Sequence, residues 1–434
     1  MKARQPHVPR ALPVADSASY DGRVRHADAL RRRGAYTEAI RAFHAITEAY
    51  PQRGDAFSNL AGMLQAAGHP MPALTAISRA LELEPASVPA LINSAEILKD
   101  FGEWQAVLST YDAALALQPT SPTLHFARGL HSLMLGQWAD GWRGHEQRFH
   151  VPDMPLATSA LQSPRWDGSP LGDRHILLDR EQGLGDQIMF VRFASQVAAR
   201  GGRVTIRCAA PLAPLLRGMT GVHDIITEHD AIPRHDLHAS VMSLPYLLGI
   251  DSPDAVSGAA YLQPLGECPT AIQRAMTGTT PRVGLVWAGN PQHRNDARRS
   301  IAPARLLPLL QQAGVQFVSL QRHGPRGGGL PAALEPHLLD LGGLLHTFSD
   351  TAHALRQLDL LITVDTSVAH LAGALGVPTV VLVPFVPDWR WMIGRDDTPW
   401  YDSVQLIRQS TLFEWDTVIE AAAAPVSRLH ATSR

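Results

Sequence analysis

Apolar residues recur along this chain in two different rhythms. Up to about residue 150 they keep a period of 34. Leu30, Leu64 and Leu98 repeat at that spacing, as do the small residues Ala27, Ala61, Ala95 and Gly129. Gly34, Gly68, Gly102 and Gly136 keep it too, and so do Pro51, Pro85 and Pro119. Tyr36, Trp104 and Trp138 each follow a glycine by two positions, with Pro70 the exception. Beyond about residue 170 that period is gone. Short apolar runs alternate there with amphipathic helical patterns, the rhythm of an open parallel sheet.

The first rhythm is a tetratricopeptide pattern: helix, turn at the glycine, helix, proline at the exit. Small residues let paired helices approach, and the leucines and aromatics are expected to fill the seam. Each unit would contact only its neighbours, giving a curved solenoid over about residues 20–150. The fourth unit, Thr123 to Phe149, departs from the pattern. Gly141, His145 and Arg148 stand where earlier units put Ala39, Phe43 and Ile46. It reads as a junction unit that docks the next domain. Trp138 and Trp142 share one helix face, as a structural cap in preference to a ligand stack. Such arrays usually grip an extended peptide or another protein; a dimerising or scaffolding solenoid is the plainer alternative.

A Pro-rich connector, Val151 to Pro170, precedes the second rhythm. Strands are predicted at His175–Leu178, Val204–Cys208, Asp224–Thr227 and Ala239–Met242, with a helix over Gln187–Ala199. The rhythm breaks near Tyr261 to Pro281 and restarts at Val283–Trp287. Further strands are predicted at Val315–Leu320, Leu360–Val364 and Thr379–Val383. Helices are predicted at Pro303–Gln312, Ser349–Leu358 and Val368–Leu375. Two Rossmann-like halves, about 171–280 and 281–425, would place a cleft between two sets of strand ends.

Three loops in these halves carry candidate chemistry. Glu181-Gln182-Gly183-Leu184-Gly185-Asp186 joins a strand to a helix. Gly183 and Gly185 would let backbone approach a ligand and expose the helix N-terminus. The residue presented there is an acid, Asp186, which fits a reactive carboxylate or, more plainly, a helix-capping Asp. Ala288 to Ser300 opens off a predicted strand and holds Asn290, Arg294, Arg298 and Arg299. Planar guanidinium groups suit phosphate oxygens, while a solvated loop is the bland reading. Asp365-Thr366-Ser367-Val368-Ala369-His370 enters a second helix N-terminus. The Thr366 and Ser367 hydroxyls and free N–H groups make an anion site there. Asp365 would orient the loop or a ligand hydroxyl, and His370 is either a packed core histidine or a diphosphate neighbour. Gln321, after the next strand, is a weaker donor-site candidate. Trp389, Arg390 and Trp391, after the last strong strand, either line the donor or acceptor pocket or form a hydrophobic plug that packs the C-terminal segment.

The bulk numbers narrow the class. The 434 residues allow two or three domains, and a net charge of −2 argues against non-specific nucleic-acid binding. The two cysteines, Cys208 and Cys268, form no C-x-x-C and argue for a reducing compartment. Apolar runs are too short for a bilayer span, and residues 1–19 read as a disordered lead-in without a signal-peptide core. The expectation is a cytoplasmic protein. No Asp-x-Asp or His cluster suggests a metal site.

From about Trp166 to Leu412 the chain resembles glycosyltransferase family 9, the heptosyltransferase-like group. The resemblance rests on Gly183-Leu184-Gly185-Asp186 early and Asp365-Thr366-Ser367-Val368-Ala369-His370 late, in that order. The repeats in front match a subgroup that carries tetratricopeptide units. The resemblance implies a GT-B fold, metal-independent catalysis without a cofactor, and a nucleotide-diphosphate sugar as donor. It implies Asp186 as general base, and Asp365, Thr366, Ser367 and His370 at the donor phosphates. Heptosyltransferases place a lysine near those phosphates where this chain has Arg299, and they favour glycine where it has Ser367.

The function expected is therefore inverting sugar transfer to a protein or glycan acceptor held by the repeats. Two readings compete with it. One is a repeat scaffold carrying a degenerate sugar-nucleotide domain. The other is a nucleotide-sugar epimerase, which would leave the repeats unexplained.

Overall fold

The computed structural model describes residues 19–154, 161–293, 295–322 and 330–432. Residues 1–18 of the expected lead-in and 155–160 of the expected connector lie outside the described residues. The chain forms two compact units, Met1–Arg128 and Gly129–Arg434.

The first unit is a helical array. Its helices are α1 (Tyr20–Arg32), α2 (Tyr36–Ala49), α3 (Gly54–Ala66), α4 (Pro70–Leu83), α5 (Val88–Lys99) and α6 (Trp104–Leu117). The 34-residue columns explain its geometry. Gly34, Gly68 and Gly102 have φ of +76°, +80° and +72°, the left-handed conformation that ends α1, α3 and α5. Ala27, Ala61 and Ala95 are each 0 % exposed, as close helix crossings require. Pro51 and Pro85 follow α2 and α4, where the helix can no longer continue. One expectation is corrected: Tyr36 is 47 % exposed and does not fill the seam. At the first helical turn its ring stands off the shared face.

The second unit opens with the end of α7 (Pro122–Met134) and with α8 (Trp138–Glu146). Trp138 stacks on Trp400 at 4.8 Å between ring centroids. Trp142 meets Phe190 and Trp389 edge-on. These rings form one buried aromatic cluster.

Two parallel sheets follow. The first has β1 (Gly172–Asp179), β2 (Gly201–Cys208), β3 (Asp224–Thr227) and β4 (Leu237–Ser240) in the order β3-β2-β1-β4. Helix α9 (Leu184–Phe190) follows β1. The second has β5 (Arg282–Val286), β6 (Gln316–Ser319), β7 (Leu339–Asp340), β8 (Leu360–Val364), β9 (Thr379–Val383) and β10 (Val404–Arg408). Its order is β10-β9-β8-β5-β6-β7, and helix α10 (Ser367–Leu375) follows β8. The second order is that of a doubly wound Rossmann sheet, and the first is its four-strand beginning. The expected class, a helical array followed by two Rossmann-like sheets, is the architecture observed.

Some predicted elements differ. The helix expected over Gln187–Ala199 breaks into α9, a 3-10 turn at Val191–Phe193 and a short helix at Ala194–Ala198. The Arg192 Nε donates to the Met189 carbonyl at 3.0 Å, an acceptor a continuous helix would itself use. β4 ends at Ser240, because the Ser240 hydroxyl accepts from the Met242 N–H at 3.1 Å and turns the chain. β7 and β10, both at sheet edges, are not foreshadowed by the apolar pattern.

Candidate active site

Strand order decides where chemistry can gather. In each sheet the chain starts in the middle and winds outward both ways, so neighbouring strands diverge at one point. That point lies between β1 and β4 in the first sheet, and between β5 and β8 in the second. The loop Glu181–Asp186 leaves β1, and the loop Asp365–His370 leaves β8. Both loaded loops therefore sit at switch points, at the carboxyl ends of their strands.

The two loops also touch. A side-chain carbon placed on Gly185 would come 2.9 Å from His370 Cδ2 and 3.4 Å from Ser367 Cα. Glycine at 185 is thus what allows the start of α9 to lie against the start of α10.

Asp186 is the third residue of α9. Its Oδ2 accepts from the Gly183 N–H at 2.8 Å, so the capping interaction is made. Its Oδ1 is taken by Nη2 of Arg390. The same guanidinium donates through Nη1 to Asp388 at 2.7 Å. Burial raises the Asp186 pKa above the usual carboxylate range, with Arg390 and the Gly183 N–H acting the other way. Burial also raises that of Asp388, but the adjacent Arg390 outweighs it and leaves Asp388 low.

At the other loop, Thr366 is the N-cap of α10, and its hydroxyl lies 3.3 Å from that of Thr363. Its side chain makes no capping bond, so the first-turn N–H groups keep their pull on an anion. Arg299 donates through Nη1 to the Asp365 carbonyl at 3.0 Å and packs on Gly289. Burial and the Asp388 charge push Asp365 up to about 6. His370 stacks on Trp391 at 5.1 Å and shares a hydrogen bond of 3.1 Å between Nδ1 and the Tyr401 hydroxyl. Burial and Arg390 push His370 down to about 3, so it is a neutral ring at physiological pH. Its environment matches the packed-core reading and also lies beside the anion loop.

The remaining candidates separate. Arg390 stands at the centre. Trp389 packs on Trp142 and Phe190, as a plug. Gln321 is engaged in holding its neighbours: its Oε1 accepts from the Trp287 and Ala288 N–H groups at 3.2 and 3.1 Å. Asn290 is exposed and accepts from Gln292 N–H at 3.0 Å. Arg298 lies over the Phe413 ring, 5.8 Å from its centroid. Arg294 lies outside the described residues.

Sequence reasoning passes over several residues. Asp388 shares Arg390 with Asp186; the Pro-Asp-x-Arg spacing is its available signal. Tyr401, which bonds His370, gives no signal, whereas Trp391, which stacks on His370, belongs to the tryptophan pair already singled out after the last strong strand. Beneath the loop lies Arg148, fully buried, with Nε and Nη2 on the two oxygens of Glu181 at 2.7 and 2.9 Å. Nη2 also reaches the Ser243 hydroxyl at 2.7 Å, and Nη1 reaches Glu146. Ser240 donates to Glu181 as well. In the sequence Arg148 stands out only as a departure from the repeat.

The arrangement therefore defines a two-Rossmann α/β unit with an acid and an anion-binding helix start side by side, following a tetratricopeptide-like array in the chain. No protein-family model matches the chain. It is similar to Protein FlbA of Caulobacter vibrioides, 27 % identical over 333 residues, covering 69 % of this chain and 54 % of that protein. The chain thus spans about half the length of the curated relative it matches. Among solved structures it is similar to a glycosyl transferase family 9 protein from Veillonella parvula, with 13 % identity and a TM-score of 0.41. That match covers 56 % of this chain and 88 % of the other. It is also similar to a thermophilic TPR protein of Thermus thermophilus, at 22 % identity and a TM-score of 0.29, over 31 % of this chain and 75 % of that one. Among the described residues, no helix is long and apolar enough to cross a membrane.

Proposed function

We propose that this chain is a GT-B type glycosyltransferase that moves a sugar from a nucleotide-diphosphate donor to an acceptor hydroxyl, with inversion and without a metal. The observation that carries the reading is the juxtaposition of Asp186 with the Thr366–Ser367 helix start, each at the switch point of its own sheet. The acceptor oxygen attacks the anomeric carbon as its proton passes to the Asp186 carboxylate. The bond from that carbon to the diphosphate oxygen breaks, and its electron pair leaves with the diphosphate. The growing negative charge meets the first turn of α10 and the guanidinium groups of Arg299 and Arg390. A carboxylate whose proton affinity is raised by burial suits the base role. The repeats would present a protein or glycan acceptor, in a cytoplasmic setting.

Two measurements test this. A thermal-shift panel of nucleoside diphosphates and nucleotide sugars should reveal a donor that stabilises the fold by mass action. Asp186→Asn should then lower turnover by about a hundred- to ten-thousandfold. No shift with any nucleotide favours the scaffold reading, and unchanged turnover in the variant sinks the base assignment.

A further inference from the structure

Arg390 carries more than a pocket-lining role. It sits in the turn Trp389–Trp391 after β9, and its backbone is held on both sides. The Asp388 side chain accepts from its N–H at 3.0 Å, and the Trp400 indole donates to its carbonyl at 2.9 Å. The residue is only 8 % exposed. Its Nη2 meets Asp186 and, at 3.4 Å, Gln182; its Nη1 meets Asp388. Its Nε, though buried, has no acceptor among the described residues. Its neighbour Trp391 is stacked on His370 of α10, so the guanidinium lies beside the helix start that suits an anion. Asp186, 204 positions away, belongs to the other sheet's loop.

These contacts set up a competition. Arg390 takes one lone pair of the Asp186 oxygen that is not capping the helix, and its charge lowers the proton affinity that a base needs. A diphosphate is the ligand that a two-pronged guanidinium would take in its place. The unpartnered Nε marks a buried donor that awaits an acceptor.

We infer that Arg390 is an exchangeable lock: it holds Asp186 until a donor binds, and the donor's diphosphate then draws it away and frees the carboxylate. This deepens the proposed function and rests on it. The consequence is donor-first binding, with the base withheld from water and acceptor until the leaving group is in place.

The competition fixes a sign that a purely structural ion pair does not. Binding of inorganic pyrophosphate, the part shared by all nucleoside diphosphates, is measured by calorimetry on the full chain. Asp186→Asn removes Arg390's competing partner, so pyrophosphate affinity should rise by about ten- to a hundredfold, one charge-assisted hydrogen bond expressed as affinity. In an Arg390→Gln background, Asp186→Asn should change affinity less than about twofold, because the exchange no longer exists. Circular dichroism checks each fold. If Arg390→Gln does not fold, Arg390→Lys supplies the background; it keeps the charge and loses the fork, and the gain should shrink there. An unchanged or weaker affinity in Asp186→Asn overturns the lock and leaves the transferase reading standing. A gain that persists undiminished without the arginine is a bulk charge effect and also overturns it. Failure of the wild-type chain to bind either pyrophosphate or any nucleoside diphosphate removes both.

Discussion

Arg148→Met tests how the Glu181–Asp186 loop is held. The Arg148 side chain is 0 % exposed and that of Glu181 is 1 % exposed, so neither charge can fall back on water. The pair is two-pronged, and the guanidinium also serves Glu146 and Ser243. Removing one member of a buried ion pair costs about 3–5 kcal/mol, because the other is left charged without a partner. Domains of moderate size move about 2–4 °C per kcal/mol, so the melting temperature should fall by on the order of 10 °C. The double variant Arg148→Met with Glu181→Gln removes the stranded charge. It should lose less than the Arg148→Met single, with a coupling energy of about 0.5–3 kcal/mol. The assay is denaturant unfolding followed by fluorescence of the Trp138–Trp142–Trp389–Trp400 cluster, which adjoins His145 three residues from Arg148. A loss under about 1 kcal/mol in the single variant, or strict additivity in the double, would refute the claim that the loop rests on this pair.

Three further outcomes follow from the site. Arg299→Ala should weaken nucleoside-diphosphate binding and slow turnover together, since Arg299 braces the Asp365 carbonyl at the anion loop; unaltered affinity by calorimetry would place the arginine outside the donor site. Gly185→Ala adds a carbon 2.9 Å from His370, and overpacking of this kind costs about 1–3 kcal/mol; a variant melting at the wild-type temperature would show that the two loops are not in contact. Asp365 binds its proton more tightly folded, at about 6, than unfolded, at 3.8, so its contribution to stability is greatest below about 4 and falls as pH rises to about 6. Melting curves across that window should show the wild type losing stability relative to Asp365→Asn as pH rises, and a constant difference between the two would refute the assignment.

Much of the architecture is readable because its causes are local. Glycine at a helix end, alanine at a crossing and proline after a helix act within one repeat, and the 34-residue period repeats that signal. Buried central strands such as Leu360–Val364 and Thr379–Val383 are continuous apolar runs, and their predicted bounds are those observed. The edge strands β7 and β10 escape such a reading because an edge needs no such run. Val404–Arg408 alternates with Gln405 exposed, and Leu339–Asp340 is two residues long. The break after α9 is equally hidden. Arg192, which takes the Met189 carbonyl there, also reaches the Trp400 carbonyl, a partner 208 positions away.

The site divides along the same line. Asp186 and the Thr366–Ser367 helix start are legible because each follows an apolar strand and opens a helix, all within a few residues. Their electrostatic state is not, because it is set by groups that only the fold assembles. Asp186, Asp365 and Asp388 bring three carboxylates together with Arg390 and Arg299, and His370 stays neutral among them. That balance leaves more acid than base before any ligand arrives. A dianionic diphosphate entering such a site can be favourable only where cations are released to it and carboxylates are protonated or turned away. Arg390, shared between two aspartates, is the cation best placed to be released, and Asp365, with its proton held up to about 6, is a carboxylate readily neutralised. The same acid count that would oppose the proposed donor is therefore what would make the proposed base respond to it.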